Sequence, residues 1–382
     1  MLASLNSLRV LAEFWVVHSH LAPTPELLKD CVHDLMSFFF VLSGFVITYA
    51  HQDDHLSTWA AKRAFWWRRW SKTYPTYLLL WCTCLVYHCA TNPPTTTKVT
   101  LCYITQLFAM NNWIGCGCNI MNPPSWYIAT LYWAWLAFPW LHAMVRRVAS
   151  YRPWTVATCL WLVSIGLNTG ALPLGYWWIY THPLLRMFEF TIGCIAATTL
   201  PTRLHWMVPT IPLASLGAVY AALYAWSISA ADECDHTPFH ATAPDSYGCT
   251  HQWFRAFVTK TALAWAVFIH YLAASEQHDQ PHCLSGILRN GNLLCTLSTF
   301  SLQLYLCHHF VFMVIHDVTR LTIGNIGLHL IFILDYCCCY LYYVYVQTLL
   351  DRGEQALTNR VSQWSPLSQG STPLPSPVTP HE

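Results

Sequence analysis

The sequence predicts an all-α membrane protein of about ten transmembrane helices around a central cavity, and three observations lead there. Of its 382 residues, 55% are hydrophobic and only 10% charged, with 20 Trp, 20 Tyr and 18 Phe, a balance that fits neither a soluble globular domain nor a disordered chain. Apolar runs close to the roughly twenty residues needed to cross a bilayer recur along the chain. Ionisable residues sit inside some of these runs, where they are costly unless they face a protein interior or a watery cavity.

In order, the runs fall at 5–22, 33–50, 73–91, 124–145, 153–170, 184–200, 206–230, 253–274, 293–316 and 322–350. The first is expected to be retained in the mature chain, because it carries Arg9, Glu13, His18 and His20 and has no basic leader or small-residue cleavage site. The second holds Ser43 and Gly44, small residues that let a neighbouring helix approach. A basic segment, Arg68-Arg69-Trp70-Ser71-Lys72-Thr73-Tyr74-Pro75, leads into the third. The fourth opens on Pro124-Ser125-Trp126, and the fifth is uncharged after Arg152. In the sixth, Arg186 and Glu189 stand three apart, a spacing at which helical side chains pair. The seventh and eighth flank an acidic, polar loop. The ninth contains Tyr305, His308 and His309. The tenth is longer than a span requires, and Gly324, Asn325 and Gly327 suggest that its core starts later; Asp335 within it is costly unless paired.

Loop charge sets the orientation, since Lys and Arg favour the cytoplasmic side. With the N-terminus inside, the cytoplasmic segments hold Lys62, Arg63, Arg68, Arg69, Lys72, Arg146, Arg147, Arg152, Arg203, Arg289, Arg352 and Arg360, twelve in all, against Lys29, Lys98 and Arg320 opposite. Both termini are therefore expected in the cytoplasm. Residues 1–352 form the membrane domain. Residues 361–382, with four Ser-Pro or Thr-Pro pairs, cannot bury a core and read as a disordered cytoplasmic tail. The formal net charge of +1 leaves no nucleic-acid footprint.

Most of the 17 cysteines, including Cys82, Cys84, Cys159, Cys194, Cys295 and Cys337 to Cys339, lie in apolar runs and read as small packing residues. Cys234 and Cys249, and Cys89, Cys102, Cys116 and Cys118, lie in or near polar loops where an oxidising compartment would permit a bridge. Cys116 and Cys118 have no second pair at zinc spacing, so no metal site is expected.

The pattern that points to chemistry is Arg9 with His20. Eleven residues at about 100° each end roughly 20° past three full turns, so the two side chains share one helix face about 16 Å apart. A plain alternative is an Arg reaching the interfacial phosphates with a packing histidine at the far end. Glu13, four residues after Arg9 and seven before His20, lies on the same face, where it can pair with Arg9 or orient His20. His18 points the opposite way around the helix.

Asn6-Ser7-Leu8-Arg9 through His20, Ser37 to Thr48 with Ser43-Gly44, and Arg68 to Pro75 resemble, in this order and spacing, the acyltransferase 3 family of integral membrane O-acyltransferases. Pro124-Ser125-Trp126-Tyr127-Ile128-Ala129 resembles the family's tryptophan-led span. Arg186-Met187-Phe188-Glu189-Phe190 with Gly193 is similar to its Arg-x-x-Glu-Phe-x-x-Gly segment, and Ser301 to His308 to its Ser-x-x-x-Tyr-Leu-x-His segment. The likeness runs from residue 6 to Leu350-Asp351-Arg352. It departs at Leu131, where the family commonly has glutamate; at Glu13, where a small apolar residue is usual; and at Lys72, where Arg is usual.

The resemblance implies transfer of an acyl group, commonly acetyl, from a cytoplasmic acyl-CoA to a hydroxyl of a glycan or lipid-linked acceptor, with acetyl-CoA as co-substrate and no tightly bound cofactor. It makes Arg9 and His20 the essential pair. A neutral imidazole is suited to take a hydroxyl proton, which gives His20 the role of general base. Arg9 would contact the donor, joined by Arg68, Arg69 and Lys72 at its anionic end. Ser43, Trp126, Arg186, Glu189, Tyr305 and His308 are expected to shape the core or cavity. A rival reading is a transporter or channel for a small anion or proton-coupled solute, with Arg9, Glu13, His20, His308 and Asp335 along its path.

Overall fold

A computed structural model describes residues 2–21, 26–54, 56–91, 96–114, 121–148, 152–171, 174, 176–200, 261–277, 283–289, 294, 297–319 and scattered positions between 334 and 353. Every regular element among them is helical. The α-helices are α1 (Ala3–Leu21), α2 (Glu26–Ala50), α3 (Trp59–Thr91), α4 (Thr97–Leu107), α5 (Ser125–Val148), α6 (Pro153–Gly170), α7 (Tyr176–Thr181), α8 (Pro183–Thr198), α9 (Ala262–Gln277), α10 (Cys283–Arg289) and α11 (Ser301–Thr319). Short 3-10 turns at Asn111–Trp113 and Ser298–Phe300 and a π-helical turn at Tyr343–Gln347 complete the set.

The predicted spans at 5–22, 124–145, 153–170 and 184–200 correspond to α1, α5, α6 and α8. The third span, predicted at 73–91, is the second part of a longer helix: α3 begins at Trp59, takes in the basic segment and continues through Pro75. The predicted span at 206–230, the bulk of that at 322–350, Asp335, the 361–382 tail, Cys116, Cys118, Cys234 and Cys249 lie outside the described residues. Of the cysteines read as packing residues, Cys84 and Cys194 are buried among apolar neighbours, whereas Cys82, Cys159, Cys337 and Cys338 are exposed.

Among the described helices, α5 alone is long and apolar enough to cross a membrane by length and composition, so the count of ten spans is not reproduced. The reason lies in the other sequences. Asn6, Arg9 and Glu13 dilute α1, five basic residues occupy the first half of α3, and α8, carrying Arg186 and Glu189, has 16 residues, or about 24 Å of helix against roughly 30 Å of hydrocarbon.

Helix α2 is the spine of the bundle. Phe38, Phe40, Val41, Phe45 and Ile47 are all at most 1% exposed, and the helix lies against α8 along most of its length. Two glycines allow this approach. A Cβ on Gly44 would strike the Phe190 carbonyl, and one on Gly193 would strike the Val41 carbonyl; only glycine lets the backbones come so near. Helix α8 also contacts α5, α6 and α9, while α1 lies against α2, α9, α10 and α11.

Two helix ends are closed from a distance. The first amides of α1 have no partner within their own helix. Glu276, at the end of α9, accepts from the Ala3 and Ser4 amides at 2.8 and 3.1 Å and from the Ser4 hydroxyl at 2.6 Å, and its charge suits a helix N-terminus. The last carbonyls of α4 accept from Tyr74, to Leu107 at 3.0 Å, and from Tyr77, to Gln106. The first closure fixes α1, which carries Arg9; the second ties α4 to α3.

Candidate active site

A cavity of about 280 Å³ opens between α1, α2, α3, α5 and α11, near the low end of the roughly 300–1,000 Å³ of small-molecule sites. Helix α1 offers it one stripe, since Asn6, Arg9 and Glu13 follow at intervals of three and four and so share a face. Opposite stand Ser43 of α2, Arg69 and Thr73 of α3, Tyr127, Leu131 and Trp135 of α5, and Ser301 and Tyr305 of α11. The wall is otherwise largely apolar.

Arg9 is held in place from one side. Its Nη2 donates to the Ser298 carbonyl at 2.7 Å, where the 3-10 turn before α11 exposes a backbone acceptor. Its Nε–H is buried without a hydrogen-bond partner among the described residues, and so is Oε1 of Glu13. Glu13 also meets the Ser301 hydroxyl and the Tyr305 backbone and is attracted to the Arg9 charge. Trp135, also on the cavity wall, leaves its Nε1–H unpartnered as well among the described residues. Buried polar atoms nearly always find partners, so these side chains are candidates to meet a ligand's polar groups.

Of the basic trio proposed for the donor, only Arg69 reaches the cavity. Its guanidinium lies 5.9 Å from the ring centres of both Phe65 and Trp135. Arg68 and Lys72 are exposed and do not line it. Consecutive helical residues diverge by about 100°, which separates Arg68 from Arg69.

His20 does not line the cavity. It lies beyond it on α1, with its ring centre 5.3 Å from that of His308. His308 is fully buried, and its Nδ1 is 2.7 Å from the Tyr305 carbonyl. A carbonyl only accepts, so Nδ1 carries the proton and Nε2 of the neutral ring keeps its lone pair. Tyr305 links the two places: it lines the cavity, makes an edge contact with Tyr127 at 5.5 Å and lies 5.9 Å from the His308 ring.

Trp126, Arg186 and Glu189 form a separate buried knot. Arg186 Nη1 bonds both Glu189 oxygens at 3.0 Å, and its Nε donates to the Tyr180 carbonyl at 2.6 Å. The Ser37 hydroxyl donates to Glu189. The Arg186 guanidinium also lies over the rings of Tyr180, Phe40 and Trp126 at 4.6, 5.4 and 5.5 Å. None of the three lines the cavity; they join α8 to α2 and α5.

Tyr127, Asn6, Thr73 and Leu131 were not expected in the site. Asn6 was legible as the residue three before Arg9. Tyr127 follows Trp126, so the helix turns one toward α8 and the other into the cavity. Leu131, where the family resemblance leads one to expect glutamate, and Glu13, where it leads one to expect a small residue, border the same space.

A family model described as an acyltransferase domain matches residues 2–350. The chain is 28% identical over 207 residues to acyltransferase MdmB of Streptomyces mycarofaciens, an alignment covering 50% of this chain and 51% of that protein. The chain thus matches about half the length of that curated relative, and no solved structure matches. With motifs in family order along nearly the whole chain, and a cavity where the motif-bearing α1, α2, α3, α5 and α11 meet, the protein belongs to the acyltransferase 3 family.

Proposed function

We propose that the protein is a multi-pass membrane O-acyltransferase that moves an acyl group, acetyl in the simplest case, from acyl-CoA to a hydroxyl of a glycan or lipid-linked acceptor. The observation that supports it best is a cavity bearing two guanidinium groups, Arg9 and Arg69, in a largely apolar wall beside the His20–His308 pair. Guanidinium groups suit a donor that offers both anionic and carbonyl acceptors, and the apolar wall suits its acyl-bearing arm. In this reading the spans lie in lipid with both termini cytoplasmic, following the twelve-to-three bias of basic residues.

The chemistry needs a proton acceptor for the incoming hydroxyl. His20 takes that proton as the oxygen attacks the thioester carbonyl; the C–S bond breaks, and the imidazolium returns the proton to the departing CoA thiolate. The donor arm approaches from the cavity and the acceptor from the His20 side.

The test is thiol release by purified protein supplied with acetyl-CoA and a panel of sugars and glycolipids. Acceptor-dependent release of CoA is expected. Absence of release across the panel, with solute flux through the protein in liposomes, would overturn the proposal in favour of a transporter.

A further inference from the structure

Three side chains that line the cavity carry a buried polar atom with no partner among the described residues: the donors Arg9 Nε–H and Trp135 Nε1–H and the acceptor Glu13 Oε1. The Arg9 and Glu13 atoms, both from α1, have opposite hydrogen-bonding character. Arg9 Nε–H can only donate, and the unpartnered Oε1 of Glu13 can accept, whether in a carboxylate or as the carbonyl oxygen of the acid. Both side chains line the cavity and come from one face of α1, about 6 Å apart along the helix axis. Glu13 is 3% exposed, so water does not readily satisfy it.

We infer that Arg9 and Glu13 together bind a secondary amide, with the ligand's C=O accepting from Arg9 and its N–H donating to Glu13. In a trans amide these groups point in opposite directions, matching a donor and an acceptor placed one turn apart. A phosphate would satisfy Arg9 but bring Glu13 Oε1 no donor, and a plain acyl chain would leave both unmatched, a cost that makes a polar site discriminate. The inference rests on the acyl-CoA reading, in which the ligand is the pantetheine arm with its two amides. Glu13 then determines donor specificity by reading the arm, while Arg69 meets the anionic end.

The experiment compares two acetyl thioesters of similar reactivity, S-acetyl-N-acetylcysteamine, which carries one amide, and S-ethyl thioacetate, which carries none. Wild-type protein is expected to prefer the first by about tenfold or more in kcat/KM, the scale of one buried hydrogen bond. Glu13→Met, matched in length but without an acceptor, should bring the ratio near one. Glu13→Gln, which keeps a carbonyl oxygen, should restore most of it. If Glu13→Met does not purify as a single species, Glu13→Leu is compared with Glu13→Gln on the same ratio. An unchanged ratio in the Met or Leu variant, or no preference in the wild type, overturns the inference and leaves the acyltransferase reading standing. Failure of the wild type to use either thioester or acetyl-CoA overturns the acyltransferase reading itself, and the inference with it.

Discussion

Gly44 and Gly193 face one another's helices, so that a methyl group on either would strike a backbone carbonyl of the other, that of Phe190 or Val41. Because the obstacles are backbone atoms in two packed helices, they cannot swing aside. Gly44→Ala and Gly193→Ala are each expected to destabilise the protein by about 1–3 kcal/mol, the usual cost of overpacking. Thermal unfolding in detergent checks this, and an unchanged midpoint would show that α2 and α8 are not in such close contact.

The Arg186–Glu189 pair makes the second prediction. Both groups are at most 1% exposed, and removing one partner of such a pair strands the other charge, at about 3–5 kcal/mol. Glu189→Leu should therefore be more damaging than the double variant Glu189→Leu with Arg186→Met. A double-mutant cycle on unfolding free energy measures the difference, and additive losses would contradict a coupled pair.

Arg69, Arg68 and Lys72 share a basic segment but not a location, since Arg69 alone lines the cavity. Arg69→Ala is expected to raise the KM for acetyl-CoA about tenfold or more, the loss of a charge-assisted contact. Arg68→Ala and Lys72→Ala should change it less than about twofold, as for exposed, screened charges. Equal effects at all three positions would point to a diffuse charge field in place of a defined contact.

His308 holds its proton on Nδ1 through the Tyr305 carbonyl and stands beside His20. Under the proposed mechanism it is expected to position that imidazole by ring contact. His308→Phe keeps the ring and removes the lone pair; a fall in kcat of about tenfold to a hundredfold with an unchanged KM for acetyl-CoA is expected. A change confined to KM would place His308 with the donor.

Helical rotation was legible in the sequence, and depth was not. The period of 3.6 puts Arg9 and Glu13 on one stripe, and the structure has both lining one cavity, with Asn6 beside them. The same period turns His20 to that face, yet about 16 Å of axial separation from Arg9 leaves it outside the cavity that the Tyr127–Tyr305 contact borders. That contact is made by residues from α5 and α11, far apart in the chain, and no local pattern announces it. Charge marks membrane boundaries and so places the basic segment at 68–72 ahead of the third span, whereas α3 extends back to Trp59 and takes that segment in. The pairing of Arg186 with Glu189 followed from their spacing, but their place outside the cavity depends on how α8 packs against α2.

Transfer of radiolabelled acetyl from acetyl-CoA to a hydroxyl acceptor, by wild-type protein and by His20→Ala, tests the central claim most directly. The account predicts acceptor-dependent label in the wild type and loss of at least about a hundredfold in the variant, with the variant still purifying as a folded membrane protein. Undiminished transfer by His20→Ala would remove that imidazole from the reaction and contradict the account.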